Sequence, residues 1–365
     1  MRSVIVDRKY RFMTVFDLDT GFCVRTGIID GCGKDTGKDP FMASFPHLID
    51  VGVMGSCAHG RAGLCEKAGV GCYQSGLTKT EPNMKVEDFR RIAEECRGRC
   101  TQLALGGRGD PDMHENFGEL LRISRENLLV PNFTTSGIAM TEEKARLCAR
   151  LCGAVAVSWY RSGSTTKAIE TLLKAGVKTN IHYVLGNNTI DEALDRLANG
   201  GFPDGINAVV FLLHKPAGLG RKENVLSPKD PKVRRFFELL DGGAKPEYKI
   251  GTDSCTVPGI TVFCRNVNPA SVDACEGGRF SCYVGPDMVM VPCSFDQDGR
   301  YAVSLADGTT IEEAWNSETF EKFRRILRDS CPDCPKRENC MGGCPLMPET
   351  VLCPDKERRF SYDGR

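Results

Sequence analysis

Five cysteines close to the C-terminus, Cys331, Cys334, Cys340, Cys344 and Cys353, follow a C-x2-C-x5-C-x3-C-x8-C spacing on Gly- and Pro-rich turns. Thiolates this dense are placed to grip metal rather than to fill a core. A second group, Cys275, Cys282 and Cys293, lies just upstream in CEGGRFSCYVGPDMVMVPC. A third, Cys57, Cys65 and Cys72, shares the Gly-rich stretch CAHGRAGLCEKAGVGC at C-x7-C-x6-C spacing. Three thiolates can hold three irons of a 4Fe-4S cluster and leave the fourth iron open to another ligand. Two plainer chemistries fit parts of the pattern. His59 can join the third group to close a zinc site, and the run from Cys331 to Cys353 suits a zinc ribbon, because tetrahedral zinc also accepts four thiolates.

A chain of 365 residues, 41% of them hydrophobic, can bury a barrel-sized core and carry a smaller module beside it. Lys plus Arg and Asp plus Glu balance at 48 each, so no net field recruits nucleic acid or an anionic membrane. No apolar run of about 18 to 20 residues is present to span a bilayer, and the opening MRSVIVDRKYRF is too charged for a signal peptide. The expected location is therefore cytoplasmic. Disulfides are disfavoured there, so 19 cysteines, an odd number, call for metal or cluster ligation instead.

The elements that must position these groups follow from the alternation of apolar runs and amphipathic stretches. Residues 1–48 suggest a hairpin extension, too short for an independent winged-helix peptide-recognition domain. Residues 49–265 repeat a strand-then-helix unit six times, with strands such as LIDVGVMG, TQLALGG and AVAVSWY followed by helices such as VEDFRRIAEEC and TKAIETLLKAG. That order predicts an α/β fold, a partial (β/α)6 TIM barrel whose functional face lies where the strands end. Residues 266–365 break into Gly, Pro and Cys-rich turns with one helix, TIEEAWNSETFEKFRRILRDS, and form the second module.

Several polar groups then fall at the barrel mouth. The second strand runs into Gly106, Gly107, Arg108, Gly109 and Asp110, where glycine lets backbone approach a ligand, although an ordinary βα loop also uses such turns. Thr135 and Ser136 end the third strand, Ser158 and Arg161 the fourth, and Asn187 and Asn188 the fifth. Arg161 is the best partner for a ligand carboxylate, with a plain surface Arg as the alternative. The sixth strand leads to His214 and Lys215. A further strand before IGTDSC would aim Asp253 or Cys255 at the site; a structural thiol is the alternative for Cys255. The pairs Cys96 with Cys100 and Cys148 with Cys152, four apart, read as small core residues on helices.

The cysteine order from Cys275 onward resembles that of SPASM domains, the auxiliary iron–sulfur modules of radical S-adenosylmethionine (SAM) enzymes. Cys57, Cys65 and Cys72, with Tyr73 beside the last, resemble the superfamily's cluster loop, whose common spacing is the shorter C-x3-C-x2-C. GGRGDP is similar to its glycine-rich GGE-type segment, with Asp110 near the usual Glu, and LLHKPAGLGR is similar to the segment bordering the adenine.

The resemblance implies three 4Fe-4S clusters: one on Cys57, Cys65 and Cys72 that binds SAM, and two auxiliary ones in the C-terminal cysteine-rich SPASM domain. Of these, one would use Cys275, Cys282, Cys293 and Cys344, the other Cys331, Cys334, Cys340 and Cys353. Gly106, Gly107, Arg108, Gly109, Asp110, Ser136, Ser158, Arg161 and Asn187 would hold SAM. Its cleavage to a 5′-deoxyadenosyl radical would then take a hydrogen atom from a ribosomally made peptide, giving a cross-link, a thioether or an epimer. Cys255, beside Asp253, would return a hydrogen atom to the substrate radical.

The implied partners are a peptide or protein substrate and an electron donor such as flavodoxin or ferredoxin. Sulfatase-type maturation of a Cys or Ser is the rival reaction; its enzymes place an Asp directly after the cysteine matching Cys293, where this chain has Ser294. A rival of another class is a non-catalytic iron–sulfur or zinc scaffold, which predicts no SAM cleavage.

Overall fold

The N-terminal segment forms a small antiparallel sheet of three strands, β1 (Arg2–Asp7), β2 (Phe12–Asp17) and β3 (Cys23–Arg25), one more than the expected hairpin. The structure is a computed structural model that describes residues 1–58, 63–244 and 246–355; His59 lies outside them.

Seven parallel strands follow in chain order: β4 (Leu48–Met54), β5 (Gln102–Gly107), β6 (Val130–Thr135), β7 (Val155–Ser158), β8 (Thr179–Leu185), β9 (Ala208–Leu213) and β10 (Lys249–Thr252). The four-residue α1 (Leu64–Lys67) sits in the loop after β4. Longer helices cross between strands: α2 (Val86–Cys96), α3 (Phe117–Glu126), α4 (Glu142–Leu151), α5 (Gly163–Lys174), α6 (Ile190–Asn199) and α7 (Pro231–Glu238). Helix α8 (Val257–Phe263) follows β10. Local chemistry starts several of them: Thr141, Ser162 and Asp230 each accept a backbone N–H of the first helical turn, and Pro231 opens α7 without a donor to lose.

The six expected units are present, and β10 adds a seventh strand, in register with β9 from Lys249 opposite Ala208. The sheet is open. Its β4 edge is taken by β11 (Ser281–Val284), parallel to β4, and then by the antiparallel strands β12 (Val289–Val291) and β13 (Val303–Ser304), giving ten strands in one sheet. The C-terminal module thus satisfies the backbone of an otherwise bare edge strand.

The N-terminal segment is also built in. Ala43 and His47 donate backbone hydrogen bonds to Arg279 and Phe280, and the indole of fully buried Trp315 donates to the Ala43 carbonyl at 2.9 Å. The stretch expected as one C-terminal helix is two, α9 (Ile311–Trp315) and α10 (Glu318–Asp329), because Ser317 turns extended and caps a fresh start by accepting the Phe320 N–H. A four-residue helix, α11 (Arg337–Cys340), lies in the last cysteine run.

Side-chain direction alternates along each strand, so each strand has a helix face and a concave face. The helix face is apolar: Ile49, Val51, Leu103, Val155, Val157, Ile181 and Val209 are all fully buried under the helices. The concave face carries Asp50, Gln102, Asn132, Ser158, Asn180 and His182. Polar and small residues there leave the interior open instead of filling it with branched side chains as in a closed barrel.

Candidate active site

That concave face bounds a cavity of about 710 Å³. Cys57, Cys65 and Cys72 line it together, as do Gly106 to Asp110, Ser136 and Ser158. Burial raises the Cys65 thiol pKa, and the charges of Cys72 and Cys57 raise it further, as expected for thiols gathered in one place. The Cys72 sulfur accepts the Gly76 N–H at 3.5 Å. Glycine is needed where the two loops meet: a Cβ on Gly76 would stand 2.9 Å from the Cys57 Cβ, and one on Gly109 would stand 2.5 Å from the Ser56 carbonyl oxygen. At Gly107, φ is +110° and a Cβ would lie 2.4 Å from the Met54 carbonyl, so no other residue fits that turn.

Asp110 organises the neighbouring strand end. It accepts from the Ser136 N–H at 2.8 Å, the Ser136 hydroxyl at 2.5 Å and the Thr135 hydroxyl at 3.2 Å. The expected ligand-binding pair Asp110 and Ser136 is therefore brought together, with Ser136 fixed in place. Arg108 lines the cavity while its guanidinium is ion-paired with Glu81.

Two other expected groups are directed elsewhere. Arg161, at a left-handed φ of 57°, gives its Nε to Glu192 at 2.5 Å and its Nη1 to the Ala68 carbonyl at 2.8 Å. It ties the end of α1 to the fourth strand and is not part of the cavity wall; a ligand carboxylate would have to compete with Glu192. Asn187 spends its amide on the carbonyls of Glu223 and Val225, at 2.7 and 2.8 Å, and clasps a loop rather than facing the cavity.

Burial disfavours charge on the interior groups. Burial lifts the Asp50 carboxyl from 3.8 to about 7 and drops the His182 imidazole to about 4, with the Thr134 hydroxyl 3.1 Å from its Nδ1. Burial also raises the Tyr160 phenol pKa, reinforced by the charges of Cys65, Asp110 and Cys72, so a neutral hydroxyl stands beside the cysteine loop. The Tyr73 ring lies 4.5 Å from that of Phe295, bridging barrel and C-terminal module. Asp50 and His182 lie within strands rather than at the strand ends expected to carry the site, and Tyr160 stands between the expected Ser158 and Arg161. The signal for Asp50 and His182 is a polar residue at an alternate position within an apolar run, as in LIDV and NIHYV.

Asp253 reaches the cavity wall, as expected, but as half of an ion pair with buried Lys215. It also accepts from the Leu213 N–H at 3.1 Å and the Thr256 hydroxyl at 3.0 Å. Cys255 is not among the residues lining the cavity. Its thiol instead shares a hydrogen bond with that of Cys344 and sits within charge range of Cys275 and Cys293.

Cys275, Cys293 and Cys344 share one apolar cluster with Phe323, Leu327 and Leu346, whereas Cys282 is buried in the main core, within charge range of Cys96 and Cys100. In the last run, the Cys334 N–H bonds the Cys331 carbonyl at 3.0 Å across one turn and Cys340 closes α11. Cys353 follows half-buried. Among the described residues no three His, Cys, Asp or Glu side chains close round a single metal ion. No helix among them is long and apolar enough to cross a membrane.

Residues 275–340 match SPASM, an iron–sulfur cluster-binding domain. Over 309 residues the chain is 24% identical to the mycofactocin maturase MftC of Mycobacterium ulcerans, spanning 77% of this chain and 80% of that one. Among solved structures it is similar to Streptococcus suis SuiB bound to its precursor peptide SuiA, with a TM-score of 0.64, 11% identity, and 95% and 96% of the two chains covered. It is also similar to anSMEcpe with bound S-adenosylmethionine, with a TM-score of 0.58, 14% identity, and 86% and 92% covered.

Proposed function

We propose that this chain, a radical SAM protein with a C-terminal SPASM domain, is a maturase that modifies a peptide. The single observation that carries the proposal is the meeting of Cys57, Cys65 and Cys72 with the Gly106–Asp110 turn in one cavity. Its likeness to MftC and to SuiB, the latter seen with a precursor peptide, supports a ribosomally made peptide as substrate.

The residues present fit a 4Fe-4S cluster with SAM beside it. Three thiols face the cavity, and the backbone of the second strand's turn approaches them through glycines where a Cβ would collide. When bound, such a cluster supplies the electron that cleaves SAM and generates a radical able to take a hydrogen atom. Cys57, Cys65 and Cys72 would hold the iron. Ser136, fixed by Asp110, Ser158 and the open edge of Gly106 would position SAM. His182 and Tyr160 line the space left for substrate as groups that are uncharged at neutral pH, beside Asp50, which burial lifts to about 7 and leaves half ionised there.

Two auxiliary clusters on the C-terminal cysteines would carry electrons and shape the peptide entrance, with a flavodoxin or ferredoxin as donor in the cytoplasm. The test is anaerobic iron and sulfide content together with a reductant-dependent 5′-deoxyadenosine assay. The expected result is about 12 irons per chain, falling to about 8 with SAM cleavage abolished in the Cys57→Ala, Cys65→Ala, Cys72→Ala triple variant. Zinc in place of iron, or no 5′-deoxyadenosine from the wild type, overturns the proposal and leaves a metal-stapled scaffold.

A further inference from the structure

Four thiols converge at the junction of barrel and C-terminal module, and they are not the four that cysteine order alone selects. We infer that Cys255, rather than Cys282, completes the ligand set of Cys275, Cys293 and Cys344 for one auxiliary iron–sulfur cluster. The inference rests on the iron–sulfur reading above.

The first ground is position. Cys255 lies in the turn between β10 and α8, and its thiol is hydrogen-bonded to that of Cys344. Its charge bears on both Cys275 and Cys293. A Cβ on Gly277 would meet the Cys275 sulfur at 3.7 Å and the Cys293 Cβ at 3.4 Å, so these two flank one glycine. A Cβ on Gly343, next to Cys344, would stand 2.8 Å from Pro258 of α8. Helix α8, which follows the Cys255 turn directly, is thereby packed onto the loop that carries Cys344.

The second ground is strand parity. Cys282 is in β11, opposite Ile49 of β4, and the next residue, Tyr283, lines the cavity. Cys282 must then point to the other side, where it is 1% exposed in the main core with Cys96 and Cys100. Turning it toward the other thiols would require a one-residue slip of β11 against β4, which would also expel Val284 from the core.

The third ground is charge. Lys215, with its side chain 3% exposed, is held by Asp253 and lies within charge range of Cys255, Cys293 and Cys344. A buried ammonium beside a group of thiols offsets the negative charge that four thiolates bring to a cluster. Cys282 lies outside the reach of Lys215; the charges that bear on it are those of Cys100, the Asp50 carboxyl and the buried Arg324 guanidinium on the core side.

The experiment uses the full chain carrying Cys57→Ala, Cys65→Ala and Cys72→Ala, so that only auxiliary iron is read, reconstituted anaerobically with iron and sulfide. Into this parent go Cys255→Ala, Cys255→Ser, Cys282→Ala and Cys282→Ser, each followed by iron content and by the electron paramagnetic resonance spectrum of the reduced protein. The expected result is loss of up to about half the iron for Cys255→Ala and an altered spectrum for Cys255→Ser, which keeps the side chain's size if the Ala form does not fold. The two Cys282 variants are expected to keep the parent's iron and spectrum. An iron-loaded parent that responds to Cys282 substitution and not to Cys255 overturns the ligand assignment alone. A parent that binds no iron overturns the iron–sulfur reading and the assignment with it.

Discussion

Replacing Asp50 by Asn measures how strongly the cavity resists charge. Asp50 faces the cavity from β4, and burial moves its carboxyl from 3.8 to about 7. The unfolded chain gives up this proton near pH 3.8 and the folded chain only near 7, so folding loses stability across the interval between them. The sign follows directly: the carboxyl costs nothing below about pH 4, costs more as pH climbs, and reaches its full cost just above 7. The shift of about 3 units, at about 1.4 kcal/mol each, sets a ceiling of about 4 kcal/mol, lowered by whatever water the cavity holds.

Asn has the same shape and never ionises, so its advantage over Asp should grow with pH. Between pH 5.5 and 8 the gain is at most about 2 kcal/mol, because about one and a half units of the interval lie above 5.5. For a chain of this length that corresponds to a Tm difference widening by a few degrees, about 2 °C per kcal/mol. The assay is calorimetric Tm for wild type and Asp50→Asn from pH 5.5 to 8, at one scan rate because many proteins of this size unfold irreversibly and their Tm then depends on it. A Tm difference that stays constant over the whole range refutes the reasoning.

Two further outcomes follow from contacts in the same region. Lys215→Met leaves Asp253 with only the Leu213 N–H and the Thr256 hydroxyl, and should cost toward the lower end of the roughly 3–5 kcal/mol seen when one partner of a buried pair is removed. Adding Asp253→Asn should restore most of the denaturation midpoint; a double variant no more stable than the single one would remove the ion pair from the explanation. Gly109→Ala pushes a methyl to 2.5 Å from the Ser56 carbonyl, next to Cys57, at an overpacking cost of about 1–3 kcal/mol. SAM affinity, measured by equilibrium dialysis on the iron-loaded protein, should fall about tenfold or more, and an unchanged affinity would detach the second strand's turn from the SAM site.

Much of this protein is legible in its residues because the determining forces are local. Apolar spacing of 3.6 marks the crossing helices, Asp230 before Pro231 and Ser162 before Gly163 mark where two begin, and the run of strand–helix units yields the parallel sheet. The three-cysteine loop after β4 and the Gly106–Asp110 segment at the end of β5 are legible from residue type, position and family resemblance, and they meet because neighbouring parallel strands end at the same face. The fault in the helix expected over 310–330 was local too, since Ser317 offered a cap that periodicity overlooked.

What the chain order could not decide is which distant groups share a space. Arg161 and Asn187 stand at strand ends as expected, yet Glu192 and the loop carbonyls reach them first, a competition settled by packing between separate units. Lys215 and Asp253 are 38 residues apart and become partners only when β10 joins β9. Cys282 follows Cys275 closely in sequence, but pairing of β11 with β4 fixes the parity of the pleat and turns its thiol away, while Cys255 arrives from the end of the barrel. Sequence spacing measures distance along the chain; ligand sets depend on distance through space, and for these thiols the sheet register converts one into the other.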